Sequence, residues 1–370
     1  MSMNEIKPGL FCDETFLSQR GLGADPGGTT FKIGETQGLT LLTKDTLQKP
    51  SCWADGPEPF AEAIVASWEA LAGASGRTLR DYSFFSSAMC GPTNSTTGTV
   101  LRITNSTNLA WRRRGFRQDL VAALHRRGVA NPVVALGNDG MFMNLGEWAH
   151  AVMAGLVSPT GTFLTVCPGT GLAFGAMLEG LAWKGEQGEG AEEGHRSCDP
   201  AALCRLAGVE LPVKFPACGC GSPGVCLEKT PACVGGLIAL VQAEMDAGRW
   251  PGETDARKLA LSLLARADLG EVAAWRVIRV QMMIVGMILA ELHRTYKSPV
   301  YCCPGAYTTT KNIRQRCLDA VYEGFEANRA FRDDLDAKVL IYPGACGENA
   351  AVFGGVLFAA LQSGALKVGA

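Results

Sequence analysis

Three cysteines fall within nine residues in the segment Cys218-Gly-Cys220-Gly-Ser-Pro-Gly-Val-Cys226-Leu-Glu228. Thiolates so closely spaced, with glycines that let the backbone wrap tightly, suit a single metal ion. His195, upstream of them, supplies the neutral imidazole that completes a tetrahedral zinc shell with Cys218, Cys220 and Cys226. Four protein ligands close such a shell, so the zinc would be structural and not a Lewis acid for a reaction.

Two glycine turns could meet phosphate. In Asp25-Pro26-Gly27-Gly28-Thr29 the glycines let backbone amides approach an anion, Thr29 offers a hydroxyl, and Asp25 could hold magnesium directly or through water. The same residues also fit an ordinary hairpin turn. Gly169-Thr170-Gly171 is a second turn of this kind, about 140 residues later. Two such turns could grip a nucleotide from both sides and set its γ-phosphoryl for in-line transfer. That chemistry needs a carboxylate in reach of the acceptor hydroxyl. Asn138-Asp139 offers one, with an amide beside it for a neighbouring hydroxyl, although Asn-Asp-Gly is also a common turn. The glutamates of the run Gly185 to Gly194 read mostly as a solvated loop.

The elements that must carry these residues alternate. Gly21–Ala24 and Thr30–Ile33 read as a hairpin, Pro59–Ala72 as a helix, Tyr82–Met89 as a strand and Phe116–Arg127 as a helix. Pro132–Leu136 is a short buried strand running into Asn138-Asp139, and a helix is expected over Met141–Ala154. A second cycle follows with strands over Thr162–Cys167 and Leu172–Met177. Helices are expected over Leu237–Ala247, Asp255–Ala267 and Leu269–Arg294, then a strand over Val339–Tyr342 and a closing helix over Ala350–Leu361. This order argues for an α/β protein of two lobes. Its 370 residues suit about two domains, and 47% hydrophobic against 19% charged residues exclude wholesale disorder.

A net charge of -2 gives no field for nucleic acid or an anionic membrane. The cluster Arg112-Arg113-Arg114 with Arg117 reads as a solvated helix start. Val280 to Leu292 is too short to span a membrane and reads as a core helix. The first residues show no secretion signal, so a cytoplasmic protein is expected, with its 14 cysteines as reduced thiols. In that setting the sequons at Asn94 and Asn105 carry no meaning.

Taken in order, these segments resemble the bacterial ROK family of repressors, open reading frames and sugar kinases. The family's Asp-x-Gly-Gly-Thr falls on Asp25, Gly27, Gly28 and Thr29. Its Gly-x-Pro and Asn-Leu-x-x-Trp stretches are similar to Met89–Pro92 and to Asn108-Leu109-Ala110-Trp111. Pro132, Val133, Asn138 and Asp139 match Pro-Val…Asn-Asp, and Gly169–Gly171 matches Gly-Thr-Gly. Gly-Glu-x-Gly-His falls on Glu192, Gly194 and His195, and the cysteine motif on Cys218–Glu228. The turn that meets adenosine corresponds to Pro343-Gly344-Ala345. The likeness runs over most of residues 21–362.

The resemblance implies an actin-like, ribonuclease-H-like two-domain sugar kinase fold. A small N-terminal α/β domain, residues 1–137 with 350–370, would carry the first phosphate turn. Residues 138–349 would form the large domain with the sugar site, zinc loop and adenosine turn. By the same likeness Asp139 is the general base, and Asn138, Asp139, Glu192, His195 and Glu228 touch the sugar. Asp25, Gly27, Gly28, Thr29, Gly169, Thr170, Gly171 and Gly344 bind ATP with Mg2+, and His195 joins Cys218, Cys220 and Cys226 on structural Zn2+. A homodimer is expected from the family alone.

Several departures mark a divergent member: Pro26 in the first turn, Gly140-Met141 after the base, an extra Val225, and Leu172-Ala173-Phe174 after Gly171. His195 stands 23 positions before Cys218, and the intervening Cys198 and Cys204 are rival ligands. The expected reaction is transfer of the ATP γ-phosphoryl to a hexose, foremost the 6-hydroxyl of glucose, with polyphosphate open as a donor. An N-acylated amino-sugar kinase is the first alternative and a catalytically silent sugar sensor the second. A DNA-binding regulator is not expected, because only about 20 residues precede the phosphate turn, too few for a winged helix-turn-helix.

Overall fold

The structure, a computed structural model, describes residues 3–27, 31–42, 53–103, 108–186, 190, 192–329 and 339–369. By its contacts the chain divides into two compact units. The first comprises Met1–Phe163, Gly175–Ala191 and Cys346–Ala370, and the second Leu164–Phe174 and Glu192–Ala345. This division falls elsewhere than at 137/138: the helix Asp139–Met153 belongs to the first unit.

The first unit is built on a five-stranded sheet ordered Thr40–Leu41, Phe31–Gln37, Arg20–Pro26, Phe84–Met89, Val133–Asn138. The expected hairpin is present, with Asp25 paired to Lys32 across its two antiparallel strands. Phe84–Met89 runs parallel to both neighbours, with Ala24 opposite Ser87 and Met89 opposite Asn138. All six of its residues are buried, as a strand covered on both faces requires.

Alternation along Arg20–Pro26 shows what covers each face. Leu22 and Ala24 join a core with Phe60, Ile64 and Trp68 of the helix Pro57–Ala74 and with Phe116 and Leu120 of the helix Phe116–Arg126. Gly21 and Gly23, pointing the other way, lie under Val356 and Val352 of the helix Ala350–Ser363. The basic cluster is partly structural: the Arg114 guanidinium holds Glu58 and Asp119.

The helix Ala350–Ser363 also presses against the helix Asp139–Met153. A Cβ on Gly354 would stand 1.8 Å from the Phe142 carbonyl oxygen, and one on Gly146 would stand 2.3 Å from that of Ala350. Neither obstacle is a side chain that can swing away. Gly354→Ala is therefore expected to destabilise the first unit by about 3 kcal/mol, near the upper end of overpacking costs, read as a lower urea midpoint with an unchanged slope. An unaltered midpoint would show that the two helices are not held at this separation. A further sheet joins Met3–Lys7, Leu10–Asp13 and Leu366–Val368 antiparallel.

In the second unit Val300–Cys302 pairs parallel with Leu340–Tyr342. Val300–Cys302 also neighbours the strand whose residues 164–168 lie in this unit. Its helices include Val234–Asp246, Ala256–Asp268, Val272–Tyr296 and Arg314–Asn328. Val272–Tyr296, 25 residues, begins three and ends two residues later than the expected helix, and as a whole, unlike Val280–Leu292 alone, it is apolar enough by length and composition to cross a membrane. Yet 67% of its most apolar window is buried, so the core-helix reading accounts for it.

Candidate active site and metal centre

Val133–Asn138 ends where the helix Asp139–Met153 begins, and Asn138 is the cap. Its Oδ1 accepts from the backbone amides of Gly140 at 2.8 Å and Met141 at 3.2 Å, satisfying donors that the first helical turn leaves open. Its Nδ2 donates to the Gly91 carbonyl oxygen at 3.3 Å, which ties the cap to the segment after Phe84–Met89. The helix thus starts two residues earlier than expected, and Asn138-Asp139-Gly140 is not a free turn. Asp139 occupies the first helical position, where the aligned peptide dipoles favour an anion. Its Oδ1 accepts from the Gly140 amide at 2.8 Å.

Asp25 lies at the same edge of the sheet. Arg20–Pro26, Phe84–Met89 and Val133–Asn138 are mutually parallel, so their carboxyl ends bring Asp25, Cys90 and Asp139 together. Burial pushes the Cys90 thiol up, and the carboxylates of Asp139 and Asp25 add to the effect. Burial also raises the Asp25 carboxyl above its ordinary value, opposed by Lys32, whose Nζ stands 3.6 Å from Oδ2. Gly27 follows, its amide donating to the Asp25 carbonyl oxygen at 3.1 Å. Gly28 and Thr29 lie outside the described residues, as does Asn105.

The cysteine reading gains a definite geometry. His195, Cys218, Cys220 and Cys226 bring one donor atom each to within 4.8 Å of one another. The Sγ atoms of Cys220 and Cys226 are 3.5 Å apart, and Cys218 Sγ is 3.4 Å from His195 Nδ1. A tetrahedral zinc would set such pairs about 3.8 Å and about 3.6 Å apart. The donor set and spacing fit a zinc ion. Burial pushes the Cys218 and Cys226 thiols up, while the Ser222 amide pulls Cys220 below its ordinary value. A divalent cation among them would reverse the burial effect.

The long spacing before Cys218 is a detour. Ser197–Cys198 pairs antiparallel with Val225–Cys226, and the Leu227 amide donates to the Arg196 carbonyl oxygen at 2.9 Å, so His195 returns to the cysteines. The chain between holds the helix Pro200–Leu206, capped by Asp199. Cys204 is buried in that helix, and the Cys198 thiol donates to the Val225 carbonyl oxygen at 3.5 Å. Neither rival joins the quartet.

Glu192, Glu228 and the second glycine turn gather around this centre. Glu192 Oε2 is 3.7 Å from His195 Nε2, the nitrogen left free when Nδ1 faces the thiolates. At that distance the carboxylate flanks the ring from beyond direct hydrogen-bond reach. The Tyr296 hydroxyl donates to Glu193 at 2.8 Å and anchors the loop to Val272–Tyr296. Glu228 Oε2 is 3.0 Å from where a Cβ on Gly171 would stand, and the Gly169 carbonyl oxygen accepts from the Val234 amide at 2.9 Å. Burial pushes the Glu228 carboxyl up, but Lys229 and Cys218 outweigh it and leave it below its ordinary range. Gly344, with φ of 80°, forms the turn after Leu340–Tyr342.

Two neighbours escaped sequence reasoning. Cys90 follows a strand that was recognised, and only the register reveals that it ends between Asp25 and Asp139. Lys229 beside Glu228 looks like a solvated pair in sequence, and its signal was adjacency to the cysteine motif.

A sequence model described as the ROK family matches residues 22–332. Among curated proteins none matches the chain in sequence. Among solved structures it is similar to a ROK hexokinase from Thermus thermophilus, with 24% identity, TM-score 0.65 and coverage of 94% of this chain and 99% of that one. It is similar to a ROK family glucokinase from Streptomyces griseus in complex with glucose and AMPPNP, with 22% identity, TM-score 0.69 and coverage of 92% and 98%. A ROK family transcriptional regulator, a homolog of the E. coli MLC protein, also matches, with 18% identity, TM-score 0.65 and coverage of 95% and 79%.

Proposed function

The chain belongs to the ROK family and has its actin-like sugar kinase fold, and from that premise we propose that it is an ATP-dependent sugar kinase with Asp139 as general base. The observation that carries this reading is the meeting of Asp25 and Asp139 at the carboxyl ends of three parallel strands, where open α/β sheets place their ligands.

In the proposed reaction Asp139 accepts the proton of a hexose hydroxyl as its oxygen bonds to the γ-phosphorus of ATP. The bond from that phosphorus to the β,γ-bridging oxygen breaks, and ADP leaves with the electron pair. Asn138 is committed through Oδ1 to the helix start, and its Nδ2 side is what could meet a sugar oxygen. Gly27 and the glycines of Gly169–Gly171 would admit phosphate against the backbone. Gly344 would lie against the adenosine. Asp25 would hold magnesium, which supplies charge neutralisation on the phosphates. Glu192, His195 and Glu228 would take further sugar hydroxyls. His195, Cys218, Cys220 and Cys226 would hold zinc, which supplies a fixed loop and no reaction chemistry.

The test is an ADP-release assay across glucose, mannose, N-acetylglucosamine and N-acetylmannosamine, with ATP and with polyphosphate as donors. Turnover that depends on a hexose, glucose foremost, is the expected result. Saturable sugar binding with no turnover on any acceptor would leave a sensor in place of the kinase.

A further inference from the structure

Lys229 is the cation closest to Glu228, and the two leave a short turn at Leu227–Lys229 that is held at both ends. The Leu227 amide is bound by Arg196, and the Thr230 amide and hydroxyl both donate to the Leu227 carbonyl oxygen, at 3.0 and 2.7 Å. Lys229 Nζ lies 2.8 Å from Glu228 Oε1, which also accepts from Cys218 Sγ at 3.1 Å and stands 4.0 Å from His195 Nδ1. The other oxygen, Oε2, is turned toward Gly171. The two side chains are only 23% and 15% exposed, so this is not a loosely solvated surface pair.

A glutamate's terminal torsion is broad, and a carboxylate held by nothing would present either oxygen. Of the groups facing Oε1, Lys229 makes the shortest contact and brings an ammonium, a charge-assisted donor.

We propose that Lys229 is a positioning residue for the carbohydrate: it engages one oxygen of Glu228 and leaves the other, beside Gly171, to accept a sugar hydroxyl. The inference rests on the reading of Glu228 as a sugar ligand. It predicts a residue that governs sugar affinity while leaving nucleotide affinity and metal content alone.

The experiment compares wild type, Lys229→Ala and Lys229→Arg. Sugar affinity is measured by titration calorimetry without nucleotide, the KM values for sugar and ATP by ADP release, and zinc by elemental analysis. For Lys229→Ala a sugar Kd and KM about 10-fold higher are expected, the scale of one charged hydrogen bond, with the KM for ATP within about 2-fold and zinc content unchanged. Lys229→Arg, which keeps the charge, recovers sugar affinity to within about 3-fold of wild type. Unchanged sugar affinity in Lys229→Ala overturns the inference. So does an equal rise in the KM for ATP, a parallel loss of zinc, or failure of Lys229→Arg to recover affinity. A wild type that binds sugar but turns over none ends the kinase reading, while the calorimetry still decides on Lys229. A wild type that binds no sugar overturns both.

Discussion

Asp139→Asn lowers hexose-dependent ADP release at least ~100-fold, the lower end of what a positioned general base contributes and equivalent to about 2.7 kcal/mol of barrier. The substitution is nearly isosteric and replaces one oxygen acceptor by an amide that cannot take a proton. Asn138, not Asp139, caps the helix Asp139–Met153, so the backbone that aims residue 139 is left intact. An amide at 139 can still accept from the Gly140 amide through its remaining oxygen. The proton moves only as the new bond forms, so kcat and kcat/KM should fall together while the sugar KM stays within about 3-fold. Wild-type turnover in this variant would remove Asp139 from the reaction. A fall confined to KM would make it a sugar ligand alone.

The second large effect concerns the metal. Protein purified without added zinc should contain about one equivalent per chain, and Cys226→Ala should contain less than ~0.1. Cys226 is fully buried and touches both Cys220 and the His195 carbonyl oxygen, so its loss opens the shell and unties the loop. Metal binding that holds a loop is folding free energy, and losing several kcal/mol of it should lower Tm by about 10 °C. Sugar affinity should weaken in step, because His195 and Glu228 both sit on the loosened segment. Cys198→Ala is the control: its thiol faces the Val225 carbonyl oxygen, and metal content should not change. Less than half an equivalent in wild type, or an unaffected Cys226→Ala, would count against the shell.

Much of this site is legible in sequence because its chemistry constrains residue type at short range. Thiolates spaced by glycine have few other uses, and the quartet named from spacing is the quartet the structure assembles. Phe84–Met89 reads as a strand because it is buried on both faces, and Pro57–Ala74 and Phe116–Arg126 read as helices because each buries one face, whereas Asp139–Met153 is buried almost all round. What periodicity cannot carry is long-range choice. Leu366–Val368 pairs with Leu10–Asp13, and no local signal tells a short strand which distant edge it will meet. The resemblance put the helix Asp139–Met153 in the larger domain, residues 138–349. It stays with the first unit because glycines at 146 and 354 let it sit against Ala350–Ser363. Its start was misplaced by two residues because Asn-Asp-Gly reads as a turn, and only the bonds from the amides of Gly140 and Met141 reveal Asn138 as a cap.

The short ladder between Ser197–Cys198 and Val225–Cys226 closes the loop of the proposed zinc site whatever the chain does between them. The excursion it encloses includes exposed Glu210, Pro212 and Lys214. A reporter peptide grafted there would be tethered to the segment that carries the proposed sugar and zinc ligands while leaving His195 and the three cysteines in place, an address for sensor engineering that a tighter loop would not offer.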